Sequence, residues 1–251
     1  MNPKISVVTA TYNSAKTIRE AVLSVSAQTA PAFEHIIIDG NSTDSTLDVI
    51  RSCNVEGLDI SSEPDSGIYD ALNKGIIKAS GDLIMLLHSD DFLPSKYLFE
   101  KIQNLWAEKD FDILYSDLSY VSSKNKLHVI RHWRAGEFNS QDLSLGWMPP
   151  HPTMFIKKEI YDNYGLFDTT YRISADYEFI LRILSLGSIV CYYSSEVGYI
   201  MRMGGESNRN FRNLLEKTKE DYRAASNYFP APILTIIFKN VRKIKQFWSR
   251  G

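Results

Sequence analysis

Four short apolar segments alternate with helix-like segments in the first third of the chain, and this rhythm constrains the fold more than any other feature. The apolar segments occupy residues 5–9, 33–39, 58–61 and 82–87, and helices are predicted at 14–26, 44–50 and 68–79. Strands that alternate with helices are joined by crossovers and therefore run parallel. Hydrophobicity along these strands is continuous rather than alternating, which predicts a sheet covered on both faces.

The rhythm loosens after residue 91. The pattern predicts a helix at 96–109, a strand pair at 113–120 and 127–133, a helix at 176–186, two strands at 189–193 and 197–203, and a charged helix at 210–227. These elements extend the same α/β unit, and no repeat or low-complexity linker divides it.

Carboxylates cluster where the predicted strands end, which is where open parallel sheets bind ligands. Asp90 and Asp91 directly follow the fourth strand. Adjacent carboxylates repel each other unless a cation arrives, and a hard divalent cation that bridges a diphosphate meets that need. A helix N-cap before a proline-containing turn at 92–94 explains the same residues, so the pattern alone leaves both interpretations open.

Asp39 ends the second predicted strand, just before Gly40 and Asn41. Its carboxylate can accept a hydrogen bond from a nucleobase or a ribose. The alternative is turn chemistry, in which Asp and Asn side chains satisfy their own backbone, and this is the better explanation for Asn41 and Asp44.

Composition excludes several classes of function. A net charge of -2 supplies no basic field for nucleic acid. The only cysteines, Cys53 and Cys191, stand in unrelated segments, which argues against a disulfide framework or a zinc site. Residues 1–4 run directly into the first strand, so we expect a cytoplasmic protein without a signal peptide.

Several collinear motifs together resemble family 2 glycosyltransferases of the GT-A fold. They are S-V-V-T-A-T-Y-N at 6–13, D-G-N-S-T-D at 39–44 and S-D-D at 89–91. The segment 63–75 resembles the branch that builds bacterial surface polysaccharides, and 151–153, 165–168 and 174–178 match as well. The resemblance covers roughly residues 5–205.

The resemblance implies a mostly parallel central sheet flanked by helices, in one domain over 1–229 with a nucleotide-binding half at about 1–95 and an acceptor half at about 96–229. It implies an inverting, metal-dependent hexosyltransferase. The donor would be a nucleotide-diphosphate sugar. The acceptor would be a glycan or lipid-linked oligosaccharide hydroxyl in O-antigen, capsule or exopolysaccharide synthesis.

The same resemblance assigns roles to individual residues. Asp91 would bind the Mg²⁺ or Mn²⁺ ion that carries the donor diphosphate, and Asp176 would act as the general base. Nucleotide-sugar binding would fall to Thr11, Tyr12, Asp39, Lys74, Asp90 and His151. For Lys74 a solvated helix lysine is the competing interpretation, and for His151 a structural loop histidine.

Some positions depart from the family pattern. Many relatives carry an acidic residue in place of His88, and Glu in place of Ala175.

Two rival functions remain. A nucleotidyltransferase that forms sugar nucleotides would need a basic, glycine-rich loop after the first strand, which 10–13 does not provide. A catalytically silent nucleotide-sugar-binding partner would be favoured by loss of a key aspartate, yet Asp90, Asp91 and Asp176 are all present.

The tail at 230–251 reads as a separate basic amphipathic helix. It alternates isoleucines with lysines and arginines and carries Trp248 near its end. This pattern predicts peripheral contact with the cytoplasmic face of the inner membrane. The alternative is a helix that packs on its own domain or in a homodimer.

Overall fold

The computed structural model describes residues 2–185, 187–203 and 211–245 as one α/β unit. Its strands are β1 (Ile5–Thr11), β2 (Glu34–Asp39), β3 (Leu58–Ser62), β4 (Leu83–Leu86), β5 (Ile113–Val121), β6 (Val129–Trp133), β7 (Phe155–Lys157) and β8 (Cys191–Arg202). Its helices are α1 (Ile18–Ser26), α2 (Thr46–Arg51), α3 (Ile68–Lys78), α4 (Leu98–Glu108), α5 (Ser140–Ser144), α6 (Lys158–Tyr164), α7 (Ala175–Leu184), α8 (Phe211–Ser226) and α9 (Pro232–Lys245). A short 3-10 turn spans His151–Thr153.

One mixed sheet runs through the molecule in the order β3-β2-β1-β4-β7-β5-β6, and β8 pairs with β5. The neighbours β3, β2, β1 and β4 are all parallel, as the sequence predicts. Antiparallel β7 joins this half to β5. The register places Thr11 beside Asp39, so the ends of β1 and β2 open into the same cleft.

Helices cover both faces of the sheet, which confirms the expectation drawn from the apolar strands. Val8 and Ile38 pack in the core cluster on one face, and Val7 and Ile37 pack in the cluster on the other. On the first face α3 approaches β1 closely at Gly75, where a Cβ atom would collide with the Val8 side chain. This contact fixes the helix that leads into the cleft.

The second half of the sheet differs from the sequence prediction in two places. The two strands expected at 189–203 form the single strand β8, whose register against β5 shifts near Asp117. The elements β7 and α6 were not predicted, because β7 has only three residues and is held by pairing with β4 and β5.

The tail helix α9 packs on α8 and on the α5 region. Its inner face carries Thr235, Ile236 and Lys239, which are buried. Gly146 has φ +72, and a Cβ atom there would strike the α9 backbone at Lys239. The described part of the predicted tail therefore belongs to the packed domain, whereas Trp248 lies outside the described residues.

Within the described ranges, no helix is long and apolar enough to cross a bilayer.

Candidate active site

The first turn of α7 lies near the start of α3 and near the residues that follow β4, and we call the region between these elements the cleft. Asp176, the second residue of α7, is partly exposed there. The Tyr69 hydroxyl, at the start of α3, lies 3.1 Å from Asp176 Oδ1 and 2.8 Å from the Ile173 carbonyl oxygen. Tyr69 therefore links the nucleotide-side helix to the turn that carries Asp176.

Two histidines and a second aspartate share this part of the cleft. His88 and Asp90 follow β4, and His151 lies in the 3-10 turn before β7. Asp90 and Asp176 both act electrostatically on His88, and Asp176 also acts on His151. Residues from three distant segments are therefore brought together, as the sequence prediction requires for Asp90, His151 and Asp176.

Burial favours the neutral form of both histidines. Burial lowers the pKa of His151 to about 4, against a weaker opposing pull from Asp176. Burial likewise lowers the pKa of His88, with Asp90 and Asp176 opposing. The His151 Nε2 atom is buried without a hydrogen-bond partner among the described residues, and its ring meets Phe167 edge-on at 5.4 Å. A buried, unsatisfied ring nitrogen beside Asp176 is a group for a ligand to satisfy.

Asp91 lies differently from its neighbour Asp90. Its carboxylate is 1% exposed, and it accepts hydrogen bonds from the Tyr199 hydroxyl at 3.1 Å and from the Arg202 N–H at 2.9 Å. Burial, and then repulsion from Asp90, raises its pKa well above the ordinary value. This geometry disagrees with the prediction that Asp91 holds the metal ion, because both oxygens point into the protein and bind β8.

Arg202, at the end of β8, contacts the loop that carries Asp90 and Asp91, and the sequence did not predict these contacts. Its guanidinium donates to the Asp90 carbonyl oxygen at 2.5 Å, pairs with Glu20 of α1 and stacks over the Phe92 ring at 5.2 Å. These contacts hold the backbone of the loop and leave the Asp90 side chain partly exposed.

The ends of β1 and β2 form the other end of the cleft. Thr11 is buried, its Oγ1 has no hydrogen-bond partner among the described residues, and the neighbouring Tyr12 is 61% exposed. Asp39 is fully buried and accepts hydrogen bonds from the Ser42 hydroxyl at 2.5 Å and the Ser62 hydroxyl at 2.6 Å. The contact with Ser42 is turn chemistry, whereas Ser62 lies at the end of the neighbouring strand β3. The contact of Asp39 with a nucleotide stays a prediction.

Lys74 is engaged by carboxylates rather than directed at a phosphate position. Its ammonium lies 2.8 Å from Glu63 and 3.6 Å from Asp70, and it donates to the Pro64 carbonyl oxygen at 3.1 Å. The hydrogen bond to Glu63 raises the pKa of Lys74. These contacts agree with the competing interpretation, a helix lysine bound to its neighbours, and not with the predicted contact to the donor.

Two other carboxylates near Asp176, those of Glu178 and Glu220, hold α7 in place through contacts within the protein. Glu178 is buried, pairs with Arg182 at 2.9 Å and accepts a hydrogen bond from the Tyr228 hydroxyl at 3.2 Å. Glu220 of α8 accepts three backbone N–H groups just before α7, at 2.8, 2.8 and 2.9 Å. Glu220 and Tyr69 were not found from the sequence, because their partners lie far away along the chain.

The cleft fits a metal ion only together with a donor. Among the residues that the structure describes, no three His, Cys, Asp or Glu side chains gather as a metal site. Mg²⁺ and similar ions are commonly held by one or two carboxylates plus substrate phosphates. The partly exposed Asp90 meets that requirement, whereas the buried Asp91 does not.

Comparison with known proteins identifies the family. The family model described as "Glycosyl transferase family 2" matches residues 6–173. A "PGL/p-HBAD biosynthesis glycosyltransferase" of Mycobacterium bovis is 29% identical over 211 residues, which cover 82% of this chain and 80% of that protein.

Two solved structures share the fold. Staphylococcus aureus TarS 1-349 in complex with UDP-GlcNAc superposes with a TM-score of 0.70 at 20% identity, covering 96% of this chain and 73% of that one. Mannosyltransferase PcManGT from Pyrobaculum calidifontis in complex with GDP-Man and Mn2+ gives 0.65 at 16% identity, covering 99% and 72%. The family match and the cleft at the strand ends lead to one conclusion: the chain belongs to glycosyl transferase family 2 and has the GT-A fold.

Proposed function

We propose that this glycosyltransferase moves a sugar, with inversion, from a nucleotide-diphosphate donor to a hydroxyl of a surface-glycan acceptor. One observation carries the proposal: Asp176 is a partly exposed carboxylate in the cleft, held by Tyr69 and close to the half-buried His88 and the buried His151. The sugar-nucleotide-bound neighbours and the glycan-synthesising relative support the substrate class.

The chemistry needs one general base. Asp176 takes the proton as the acceptor O–H bond breaks, and the acceptor oxygen forms a bond to the anomeric carbon. The bond from that carbon to the diphosphate oxygen breaks on the opposite face, so the configuration inverts. Asp176 lies in the first turn of α7, where the helix dipole favours the ionised carboxylate that this step requires.

Asp90 is the residue that we propose as the protein ligand of a Mg²⁺ or Mn²⁺ ion. The Mn²⁺ in the mannosyltransferase structure supports a metal at this cleft, and the exposure of Asp90 supports its choice over Asp91. When bound, the ion would stabilise negative charge on the departing diphosphate. Thr11, Tyr12 and Asp39 would line the nucleotide end of the cleft. The Thr11 hydroxyl, which has no hydrogen-bond partner among the described residues, could bond to the nucleotide there.

We further propose that the enzyme works at the cytoplasmic face of a membrane. The outer face of α9 exposes a stripe of five apolar side chains: Ile233, Leu234, Ile237, Phe238 and Val241. Exposed apolar stripes of this kind mark interaction surfaces, and a lipid-linked acceptor would be met there. The basic residues Lys239 and Arg242 instead bind Asp221 and Asp142, so the apolar stripe and not the charge pattern carries this contact.

The membrane proposal is tested by sedimentation with anionic vesicles. Ile237→Asp should abolish binding. Leu127→Asp is the control, because Leu127 is 93% exposed and lies outside α9, and this change should leave binding unchanged. If the unmodified protein ignores vesicles and elutes as a dimer that Ile237→Asp dissociates, the stripe is a subunit interface.

The catalytic proposal is tested by incubating the chain with a panel of nucleotide sugars and Mn²⁺. Slow release of nucleoside diphosphate from one donor, lost when Mn²⁺ is chelated, is the expected result. Release of pyrophosphate instead would identify a nucleotidyltransferase. Donor binding without turnover under every condition would identify a silent binding partner.

A further inference from the structure

Three lysines from the two C-terminal helices gather around one buried aspartate. Lys217 Nζ of α8 lies 3.2 Å from Asp221 Oδ2, and Lys239 Nζ of α9 lies 2.9 Å from the same oxygen. Lys243 follows Lys239 by one helical turn and shares its face of α9. Burial opposes ionisation of Asp221, yet attraction from Lys239 and Lys217 prevails and lowers its pKa to about 2.

We call Lys217, Lys239 and Lys243 the lysine cluster. Its positive charge exceeds the single negative charge of Asp221. Burial, and then repulsion from Lys217, lowers the pKa of Lys239 to about 7 and that of Lys243 to about 8. The charged form of each of these two lysines is thus destabilised, because like charges lie close together away from water. A bound anion would relieve that repulsion.

The cluster lies next to the general base. Lys239 Nζ is 3.2 Å from the centroid of the Tyr177 ring, and Tyr177 directly follows Asp176. Lys243 is itself drawn electrostatically toward Asp176. Asp90 and His88 approach Asp176 from β4, whereas the lysines approach it from α8 and α9. The cluster therefore comes near the base from other elements than the proposed metal ligand does.

We propose that Lys217 and Lys243 bind a phosphate group carried by the acceptor. Both side chains are partly exposed, with Lys217 at 20%, whereas Lys239 at 3% holds Asp221 from within. Lys ammonium groups act as point charges for phosphate. The inference rests on the proposed function in taking Asp176 as the base, and it narrows the acceptor class from any glycan to one that carries a phosphate close to its reacting sugar.

The test uses protein whose donor site is already filled with Mn²⁺ and the nucleoside diphosphate selected by the donor screen. Glucose 1-phosphate and methyl glucoside, which differ in the phosphate, are then titrated calorimetrically. We expect the phosphate to bind at least tenfold more tightly. Lys217→Gln and Lys243→Gln should each weaken it by about tenfold, as expected for loss of one charge-assisted contact. Lys219→Gln, an exposed lysine on the same helix, is the matched control and should change nothing.

Each other outcome overturns the inference. Equal binding of the two probes excludes a phosphate site. Equal weakening in Lys219→Gln shows only general surface charge, and loss of nucleotide affinity in Lys217→Gln or Lys243→Gln assigns the lysines to the donor diphosphate. Donor hydrolysis is measured separately, on the same protein preparations supplied with the sugar donor and Mn²⁺ instead of the nucleoside diphosphate. If hydrolysis proceeds while the two probes bind equally, this inference fails alone, and if hydrolysis is absent in the unmodified chain, the proposed function fails.

Discussion

At the scale of single residues, the adjacent carboxylates Asp90 and Asp91 have different environments and should have different roles. Asp91 bonds to Tyr199 and to the Arg202 backbone, whereas Asp90 is partly exposed. We expect Asp90→Asn to abolish the Mn²⁺ dependence of donor affinity in calorimetry. Asp91→Asn should preserve that dependence and instead lower the free energy of unfolding by about 1–2 kcal/mol, since a buried acceptor is altered. The reverse pattern would restore Asp91 as the metal ligand.

Asp176 and Glu178 are a second pair of carboxylates that should have different roles. Asp176→Asn keeps the shape of the side chain but removes its basicity, so turnover should fall by roughly 10²–10⁴-fold while donor affinity is unchanged. Glu178→Gln weakens a buried pair with Arg182, so it should reduce the free energy of unfolding and change turnover far less. Near-normal turnover in Asp176→Asn, measured under saturating donor, would place the base elsewhere.

The residues whose contacts do not match their predicted roles share one physical cause. Asp91 and Lys74 have suitable chemistry at suitable strand and helix ends, but their partners Tyr199 and Glu63 decide where their charged groups point. Such partners come from segments that only the tertiary fold brings near. Asp176, Asp90 and His151, by contrast, lie near one another because the motif positions follow strand ends and turns that local patterns predict, and their roles stay predictions.

At the scale of elements, the docking of α9 depends on Gly146. Gly146 and Gly136 both have φ +72, but only at Gly146 would a Cβ atom meet another backbone, that of Lys239. Gly136→Ala should cost about 1–2 kcal/mol for the left-handed conformation alone. Gly146→Ala should cost a further 1–3 kcal/mol or so from overpacking, measured by urea unfolding. Equal losses would mean that α9 is not packed as described.

The elements that the sequence predicts well are those whose stability is local. Strands β1, β2 and β4 carry runs of buried apolar residues and lie between helices, so the pattern identifies them directly. The polar residues Ser195 and Glu196 suggested a break within β8, yet both are exposed, so the strand continues through them. The three residues of β7 form a strand only because β4 and β5 are present on either side.

At the scale of the whole molecule, the sheet provides both ends of the cleft while the C-terminal helices complete it. The β1–β4 half positions Thr11, Asp39 and Asp90, and the α7–α9 assembly positions Asp176 and the lysine cluster. The tail that reads as a separate membrane helix is therefore also part of the support for the base. The residues that bridge the two halves, Tyr69 above all, should couple stability of the whole domain to the geometry of its site.

Global stability should also depend on pH through a histidine far from the cleft. His35 of β2 is buried, its Nε2 lies 2.9 Å from the Thr9 hydroxyl, and burial lowers its pKa to about 4. In the unfolded chain the histidine pKa is near its ordinary value of about 6.5. Between pH 6.5 and 4 the unfolded chain therefore binds a proton at His35 and the folded protein does not, so the free energy of unfolding rises with pH across that window.

Between pH 7 and pH 5, this one group should remove about 2 kcal/mol from the free energy of unfolding. His35→Gln has no such group, so its stability should decline by about 2 kcal/mol less over the same interval in urea titrations. The comparison cancels the contributions of the other titrating groups. Asp91 is one of them, and its raised pKa acts in the opposite direction because the folded protein holds the extra proton. Parallel declines in the two proteins would show that His35 accepts a proton without unfolding and that the core around β2 is open to water.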